Sequence, residues 1–177
     1  ALELAGAELT DNLLAFVERK IFTLNTGHCG TAYLGQLKGY KYIHEAVEDE
    51  DIYRIIRTSL KESGSSLIDR YGFTEAEHEN YIKKTLKRFK NPALQDSVSR
   101  VGRDPIRKLG PEDRLVKPAV RALEVNRFPI GLSQCIAAGF LFAPEGDKEA
   151  QKIQKMISNQ GIKDTLMEVA EIESDSM

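Results

Sequence analysis

The chain has 177 residues, which is enough for one domain with a substantial hydrophobic core and marginal for two. Hydrophobic residues make up 41% of the sequence, charged residues make up 29%, and the formal net charge is -2. This composition is ordinary for a globular protein and argues against a general nucleic-acid or membrane-surface binder. The sequence has no apolar run of membrane-spanning length and no signal-peptide pattern at its start.

The first third of the chain predicts a long helical segment. Residues 1–9 read as a linker or tail, and because the first residue is not Met the chain could belong to a longer protein. After Thr10 or Asp11, either of which can cap a helix, apolar residues recur at near-helical spacing. The pattern reaches residues 20–28, where the helix either kinks or stops and restarts. We expect it to end at Gly39.

Two further helices are predicted in the middle of the chain. The acidic run at residues 48–51 suits the positive end of a helix dipole, so a helix should begin there. The Ser-Gly-Ser sequence at residues 63–65 should weaken or end it. Thr74 and Glu77 fit a capping box, which predicts a helix over residues 75–90.

The last third predicts helices near 117–126, 148–159 and 162–172. The segment 130–142 is apolar almost all round, which indicates a buried central helix. No segment alternates like a strand, and no Gly-x-Gly-x-x-Gly follows one. We therefore predict an almost all-α domain over residues 10–177 that lacks a dinucleotide-binding unit.

The segment from Lys20 to His28 holds the first concentration of chemical groups. It contains the amine of Lys20, the amide of Asn25 and the imidazole of His28. A helix built only for packing would avoid this asparagine and the glycines at 27 and 30, since each weakens a helix by up to about 1 kcal/mol relative to alanine. Such departures concentrate at functional sites. The spacing alone also fits a loop between two helices with incidental polar residues.

Four cations within nine residues form a second cluster, at Arg100, Arg103, Arg107 and Lys108. Asp104-Pro105 reads as the start of a short helix that carries the last two cations, with the first two in the turn before it. A helix start beside guanidinium groups suits phosphate. The alternative is a surface basic patch that the nearby acidic residues partly neutralise.

The remaining cysteines and histidines carry no further site. Cys29 and Cys135 are far apart in the sequence, which argues against a disulfide framework and favours the reducing cytoplasm. They lack zinc-ligand spacing with His28, and we predict no metal site. A nucleophilic role for Cys29 is possible, but packing of a small residue explains it more simply. His44 and His78 are expected on polar helix faces.

The two clusters together resemble the polyol-specific long-chain dehydrogenases, whose catalytic signature has the form Lys20-x-x-x-x-Asn25-x-x-His28. The similarity extends over most of the chain and is strongest in the runs Thr10–Leu13, Glu18–His28, Thr31–Gly35, Asn91–Leu94 and Arg100–Leu109. It covers only the C-terminal half of such an enzyme. The resemblance implies a multi-helix substrate and catalytic domain like the C-terminal domain of 6-phosphogluconate dehydrogenase, with the family's N-terminal Rossmann domain absent.

The resemblance also implies metal-independent oxidation of a secondary alcohol, with Lys20 as the general base. A free lysine has a pKa near ~10.4 and a base useful at neutral pH needs ~7–8, a shift that partial burial and nearby positive charge can produce. Asn25 would donate an amide N–H to the developing oxyanion. The family's second asparagine belongs to the absent half. His28 would contact or orient a substrate hydroxyl.

The second cluster, by the same resemblance, would bind the substrate. Arg100 and Lys108 align with family positions that hold the polyol chain, Arg103 is expected to contact a phosphate, and Asp104 to orient these cations. Within the family the similarity is to members that act on hexitol phosphates. It therefore implies interconversion of D-mannitol 1-phosphate and D-fructose 6-phosphate with NAD(H).

The resemblance makes the absent Rossmann domain the expected partner of this chain and the main binding site of NAD. We therefore expect the chain alone to be inactive. Two alternatives stay open. The substrate could be another hexitol or hexitol phosphate, or the chain could be a non-catalytic helical module that binds a phosphorylated ligand or a protein partner.

Overall fold

The computed structural model describes residues 10–172, so the predicted linker at 1–9 and the end of the chain at 173–177 lie outside it. The described part is helical, and the all-α prediction is confirmed. The α-helices are α1 Leu13–Arg19, α2 Thr26–Leu37, α3 Ile43–Ala46, α4 Glu50–Tyr71, α5 Glu75–Phe89, α6 Val98–Gly102, α7 Pro105–Lys108, α8 Val116–Glu124, α9 Ile130–Phe140 and α10 Lys148–Ala170.

Three short features complete the backbone. A π-helical turn, Lys20–Asn25, joins α1 to α2, and a 3-10 turn, Pro92–Leu94, precedes α6. Within residues 10–172, β pairing is confined to an isolated bridge between Tyr42 and Ser97.

The predicted break between two C-terminal helices is present inside α10 at Gly161, whose φ of 84° ends the regular helix there. None of the helices in the described range combines the length and apolar character needed to cross a membrane.

The helix starts follow the capping chemistry of the sequence. The capping box of α5 forms as predicted, with the Glu77 N–H donating to Thr74 Oγ1 at 3.2 Å and the Thr74 N–H to the Glu77 carboxylate at 2.8 Å. The cap of α1 is Asn12 rather than Thr10 or Asp11, because its Oδ1 accepts a backbone N–H of the first turn at 3.2 Å.

The centre of the fold is formed by α2, α4 and α9, which pack against one another, with α6 against α2 and α8 against α4. The largest fully buried side chains include Phe22, Tyr33, Ile56, Leu60 and Phe140. Burial of each such side chain stabilises the fold by roughly 1.5–3 kcal/mol. The prediction that the apolar segment near 130–142 forms a buried central helix is confirmed.

A buried carboxylate fixes the start of α9. Glu62 of α4 is only 3% exposed and accepts the backbone N–H groups of Gly131 and Leu132 at 2.9 Å each. Pro129, at the N-cap position, has no side chain that could do this. The Glu62 carboxylate thus satisfies two of the free N–H groups of α9 and complements its dipole.

The Ser-Gly-Ser sequence at 63–65 does not end its helix, since α4 continues to Tyr71. A Cβ on Gly64 would lie 1.9 Å from His78 Nε2, so the glycine makes room for that imidazole. His78 is 4% exposed, its Nε2 lies 3.0 Å from the Leu60 carbonyl, and burial lowers its pKa. The prediction that His78 lies on a polar face was therefore wrong, because it fastens α5 to α4.

Candidate functional site

The π-helical turn determines how the first cluster is presented. The Thr26 N–H bonds to the Ile21 carbonyl, five residues back instead of four. Residues five apart lie on different sides of an α-helix, whereas a bond between i and i+5 places them about one turn apart. The turn therefore brings Asn25 toward the side occupied by Lys20. His28, three residues later in α2, continues the same side.

The hydroxyl groups of Ser63 and Thr26, which lie outside the π-helical turn, form hydrogen bonds to its carbonyl groups. Ser63 Oγ of α4 donates to the Phe22 carbonyl at 2.6 Å, and Thr26 Oγ1 lies 3.1 Å from the Ile21 carbonyl and 2.6 Å from the Arg114 carbonyl. A buried carbonyl without a partner is costly, so these bonds stabilise the widened turn against a regular α-helix. The sequence predicted that the helix either kinks or stops and restarts at residues 20–28, and the structure has this π turn there.

The two side chains of the turn that the sequence assigned to catalysis are more accessible than its third polar side chain, Thr23, which is fully buried. Lys20 is exposed, Asn25 is half-buried, and neither side chain forms a hydrogen bond within residues 10–172. Phe22, between them in sequence, is 2% exposed and belongs to the core. The partial burial expected for Lys20 is thus not supplied by the described part of the chain.

Two of the three glycines of α2, Gly27 and Gly30, serve packing. A Cβ on Gly27 would lie 3.0 Å from Phe89 Cε2, and one on Gly30 would lie 2.7 Å from Cys135 Sγ. Both glycines lie inside regular helix. The expectation that a packing helix would avoid them was wrong here, because a Cβ at Gly30 would come too close to Cys135 and one at Gly27 would require Phe89 to shift.

His28 is held by stacking and by a carboxylate. Its ring stacks on Phe89 with centroids 5.1 Å apart and planes 14° apart, and its Nε2 lies 3.0 Å from Asp96 Oδ2. The other oxygen of Asp96 bonds to the Arg100 guanidinium. Burial lowers the pKa of His28, and the Asp96 charge opposes that shift. Asp96 therefore joins His28 to the second cluster, a role that no sequence pattern indicated.

Lys108 holds the turn between α6 and α7. It is 5% exposed, and its Nζ donates to the Val101 carbonyl at 2.8 Å and to the Arg103 carbonyl. A lysine near a helix C-terminus satisfies free carbonyls in this way. Burial lowers the pKa of Lys108, and the Arg114 charge lowers it further. Two of the three ammonium protons are thus committed to the backbone.

The remaining cations of the second cluster are exposed. Arg100 lies in α6 and not in the turn before α7, which corrects the sequence assignment. Asp104 adopts a left-handed φ of 58°, and its carboxylate lies 3.8 Å from Arg103 and 3.9 Å from Arg107. The helix that follows is one turn long and begins with Pro105, which lacks an N–H. Side chains, and not this helix start, are therefore the groups suited to bind an anion.

A cavity of about 220 Å³ places His28 of the first cluster against the second cluster, whereas Lys20 and Asn25 do not line it. His28 and Cys29 of α2 line one part of it, and burial raises the pKa of the Cys29 thiol. Five cations line the rest, namely Arg100, Arg103, Arg107, Lys108 and Arg114. Asp104 is the one carboxylate among the lining residues of this cavity. The arrangement suits a small anionic ligand.

Two other features of residues 10–172 bear on the choice of site. A larger groove of about 690 Å³ lies beside His78 on α4 and α5, but none of the predicted site residues lines it. No cluster of three or more His, Cys, Asp or Glu side chains suited to a metal ion occurs in the described range. The cavity at the second cluster is therefore the candidate site.

Two solved structures with the same fold are named as polyol dehydrogenases. The ternary complex of Pseudomonas fluorescens mannitol 2-dehydrogenase with NAD and D-mannitol is 25% identical and superimposes with a TM-score of 0.76. The match covers 93% of this chain and 35% of that one. D-sorbitol dehydrogenase in its substrate-free form is 19% identical, with a TM-score of 0.66 over 92% of this chain and 42% of the other.

This chain therefore spans well under half the length of the dehydrogenases that it matches. The family model described as the mannitol dehydrogenase C-terminal domain matches residues 12–176, which is nearly the whole sequence. The helical architecture agrees with that match. The chain belongs to the mannitol dehydrogenase C-terminal domain family.

Proposed function

We propose that the chain is the substrate-binding and proton-handling domain of an NAD-dependent mannitol-1-phosphate 5-dehydrogenase. The enzyme would interconvert D-mannitol 1-phosphate and D-fructose 6-phosphate. One observation carries this proposal: the cavity that His28 lines is also lined by five cations. An uncharged polyol needs hydrogen-bonding groups but not such a concentration of positive charge, whereas a phosphate monoester carries up to two negative charges at neutral pH.

The first cluster performs the proton chemistry in this proposal. Lys20 accepts the proton of the substrate hydroxyl, and Asn25 donates an amide N–H to the oxygen as it gains negative charge. The π turn supports this pairing because it turns both side chains toward one side of the helix. His28, fixed by Asp96 and Phe89, orients the hydroxyl groups of the substrate.

The second cluster binds the rest of the substrate. Arg100 contacts the polyol chain from beside His28, since both bind the same carboxylate of Asp96. Lys108 retains one ammonium proton for the polyol after it has donated to two carbonyls. Arg103 lines the same cavity and adds positive charge for the phosphate.

The hydride acceptor comes from outside this chain. NAD, when bound by an N-terminal Rossmann domain, would accept the hydride from the substrate carbon. The described residues contain no strand-glycine-helix turn that could hold a dinucleotide. The exposure of Lys20 fits a site that a second domain covers. As a separate part of the proposal, the enzyme would work in the cytoplasm.

A second candidate is a dehydrogenase of unphosphorylated hexitols. The observation in its favour is that the two similar solved structures are named for mannitol and sorbitol, and one holds D-mannitol with NAD. The two candidates share the proton chemistry of the first cluster. They differ in what the cations of the cavity bind.

The test compares substrates in the full-length enzyme that contains this domain. Mannitol 1-phosphate should have a kcat/KM at least about 100-fold above that of mannitol, because two charge-assisted contacts to a phosphate supply about that factor. Equal or better turnover of mannitol would establish the second candidate instead. The isolated chain should bind NADH poorly and turn over nothing, and saturable NADH binding by fluorescence titration would contradict the placement of the cofactor.

A further inference from the structure

We infer that Arg114 is the residue that binds the substrate phosphate and thereby sets the preference for a phosphorylated hexitol. The inference rests on the proposed function. The sequence comparison gave Arg114 no role, and Arg103 was the expected phosphate contact. Four arginines line the cavity, and they differ in how firmly the fold holds them.

Arg114 is the most enclosed of these four arginines. Its side chain is 20% exposed, compared with 55% for Arg100, 66% for Arg103 and 53% for Arg107. A side chain that is already confined loses less conformational entropy when a ligand binds. Binding at Arg114 therefore costs less free energy than binding at the other three.

The Arg114 guanidinium is held by one edge only. Its Nε and its own backbone N–H both donate to Asp113 Oδ1 at 2.7 Å, and Arg107 holds the other oxygen of Asp113 at 2.9 Å. Burial opposes ionisation of Asp113, but its hydrogen bonds to Arg114 lower its pKa, so it stays a carboxylate at neutral pH. Within residues 10–172 the two Nη groups of Arg114 have no protein acceptor. Two such groups in one plane match two oxygens of a phosphate.

The backbone of Arg114 is tied to the catalytic segment. Its carbonyl accepts a hydrogen bond from Thr26 Oγ1 at 2.6 Å, and Thr26 directly follows Asn25. One partly buried hydrogen bond thus links the backbone of Arg114 to the residue next to the proposed oxyanion donor. The other cations are less suited to the phosphate. Arg103 has only a 3.8 Å contact with Asp104, the Lys108 ammonium already donates to two carbonyls, and Arg100 and Arg107 are more than half exposed.

The experiment measures kcat/KM for mannitol 1-phosphate and for mannitol in the full-length enzyme, comparing wild type with Arg114→Gln. The preference for the phosphorylated substrate should fall roughly 10- to 100-fold, while the value for mannitol stays within about twofold. Inorganic phosphate, used as a competitive inhibitor, should weaken by a similar factor. Arg54→Gln, an exposed arginine of α4 that pairs with Asp51, should change neither ratio.

Three outcomes overturn the inference. An unchanged preference in Arg114→Gln places the phosphate elsewhere, and an equal fall with both substrates makes Arg114 a structural residue. A wild-type enzyme that prefers mannitol removes the proposed function and this inference together.

A second variant, Arg114→Lys, covers the case in which the glutamine variant does not fold. It keeps the charge but loses the planar pair of donors, so it should retain part of the preference, and full retention would also contradict the assignment.

Discussion

The proposed catalytic segment, Lys20–Asn25, and the cavity lined by five cations differ in how many contacts this chain supplies to their side chains. Every cation of the cavity except the exposed Arg103 has a protein partner within 3 Å, whereas Lys20 is exposed and has none in the described range. The backbone of the catalytic segment is nevertheless firmly built, since Ser63 and Thr26 hold its π turn. The chain thus supplies side-chain partners for most of the proposed substrate-binding groups, but only backbone support for the proposed proton-transfer groups.

The largest effect is expected at the exposed half. Lys20→Ala in the full-length enzyme should lower kcat about 10²- to 10⁴-fold, the usual contribution of a general base. The melting temperature should not change, because the side chain has no partner within residues 10–172. Lys87→Ala, an exposed lysine of α5, is the matched control for loss of a surface charge. If the Lys20 variant kept wild-type turnover at neutral pH, the contrast between the two regions would have no catalytic meaning.

An intermediate effect is expected when the π turn is weakened. Ser63→Ala leaves the Phe22 carbonyl without its buried partner, which should cost about 1–3 kcal/mol of unfolding free energy. A relaxed turn also rotates Asn25 away from Lys20, so kcat should fall roughly tenfold.

The control is Ser65→Ala on the same helix, because Ser65 bonds only to the Glu62 carbonyl of its own helix. Urea denaturation and steady-state kinetics of both variants measure the two effects. Loss of stability without loss of kcat would show that the π turn has a structural role only.

The smallest effect is expected at the carboxylate that joins the regions. Burial holds the pKa of His28 below its ordinary 6.5, and the Asp96 charge opposes this. Asp96→Asn should therefore lower the pKa of His28 further, which an NMR titration of the imidazole measures. Activity should fall only a few-fold, because Phe89 still stacks on the ring.

The linkage between this pKa and stability has a definite sign. As pH falls through 6.5, the unfolded chain takes up a proton at His28 before the folded chain does, so the folded state loses stability. In Asp96→Asn this loss should continue to lower pH. Asp69→Asn, an exposed residue of α4, is the control. An unchanged or raised pKa of His28 would contradict the contact between Asp96 and His28.

The sequence predicted the helices well where the signal is local. The capping box of Thr74 and Glu77 and the break at Gly161 depend on residues within a few positions of each other, and both are present. The Ser-Gly-Ser sequence at 63–65 misled for the opposite reason. Ser63 donates to the Phe22 carbonyl, and Gly64 makes room for His78. Both partners belong to elements other than α4.

The sequence predicted some of the residues that line the candidate cavity, but not the geometry around them. His28 and the cations of 100–108 do line one cavity. The π turn, the bridge made by Asp96 and the enclosure of Arg114 could not be predicted, because each depends on contacts between residues far apart in the sequence. A carboxylate or arginine that meets its partner only after folding leaves no periodic pattern to detect.

The most direct test of the central claim is amine rescue of Lys20→Ala. Lys20 is exposed, so removing its side chain leaves space that a small primary amine can enter from solvent or from the domain boundary. With mannitol 1-phosphate as substrate, methylamine or ethylamine should restore turnover in proportion to the concentration of its unprotonated form. Asn25→Ala should show no such response, since an amine base cannot replace an oxyanion donor. A rate in Lys20→Ala that is near wild type without amine, or that no amine raises, would contradict the assignment of Lys20 as the base.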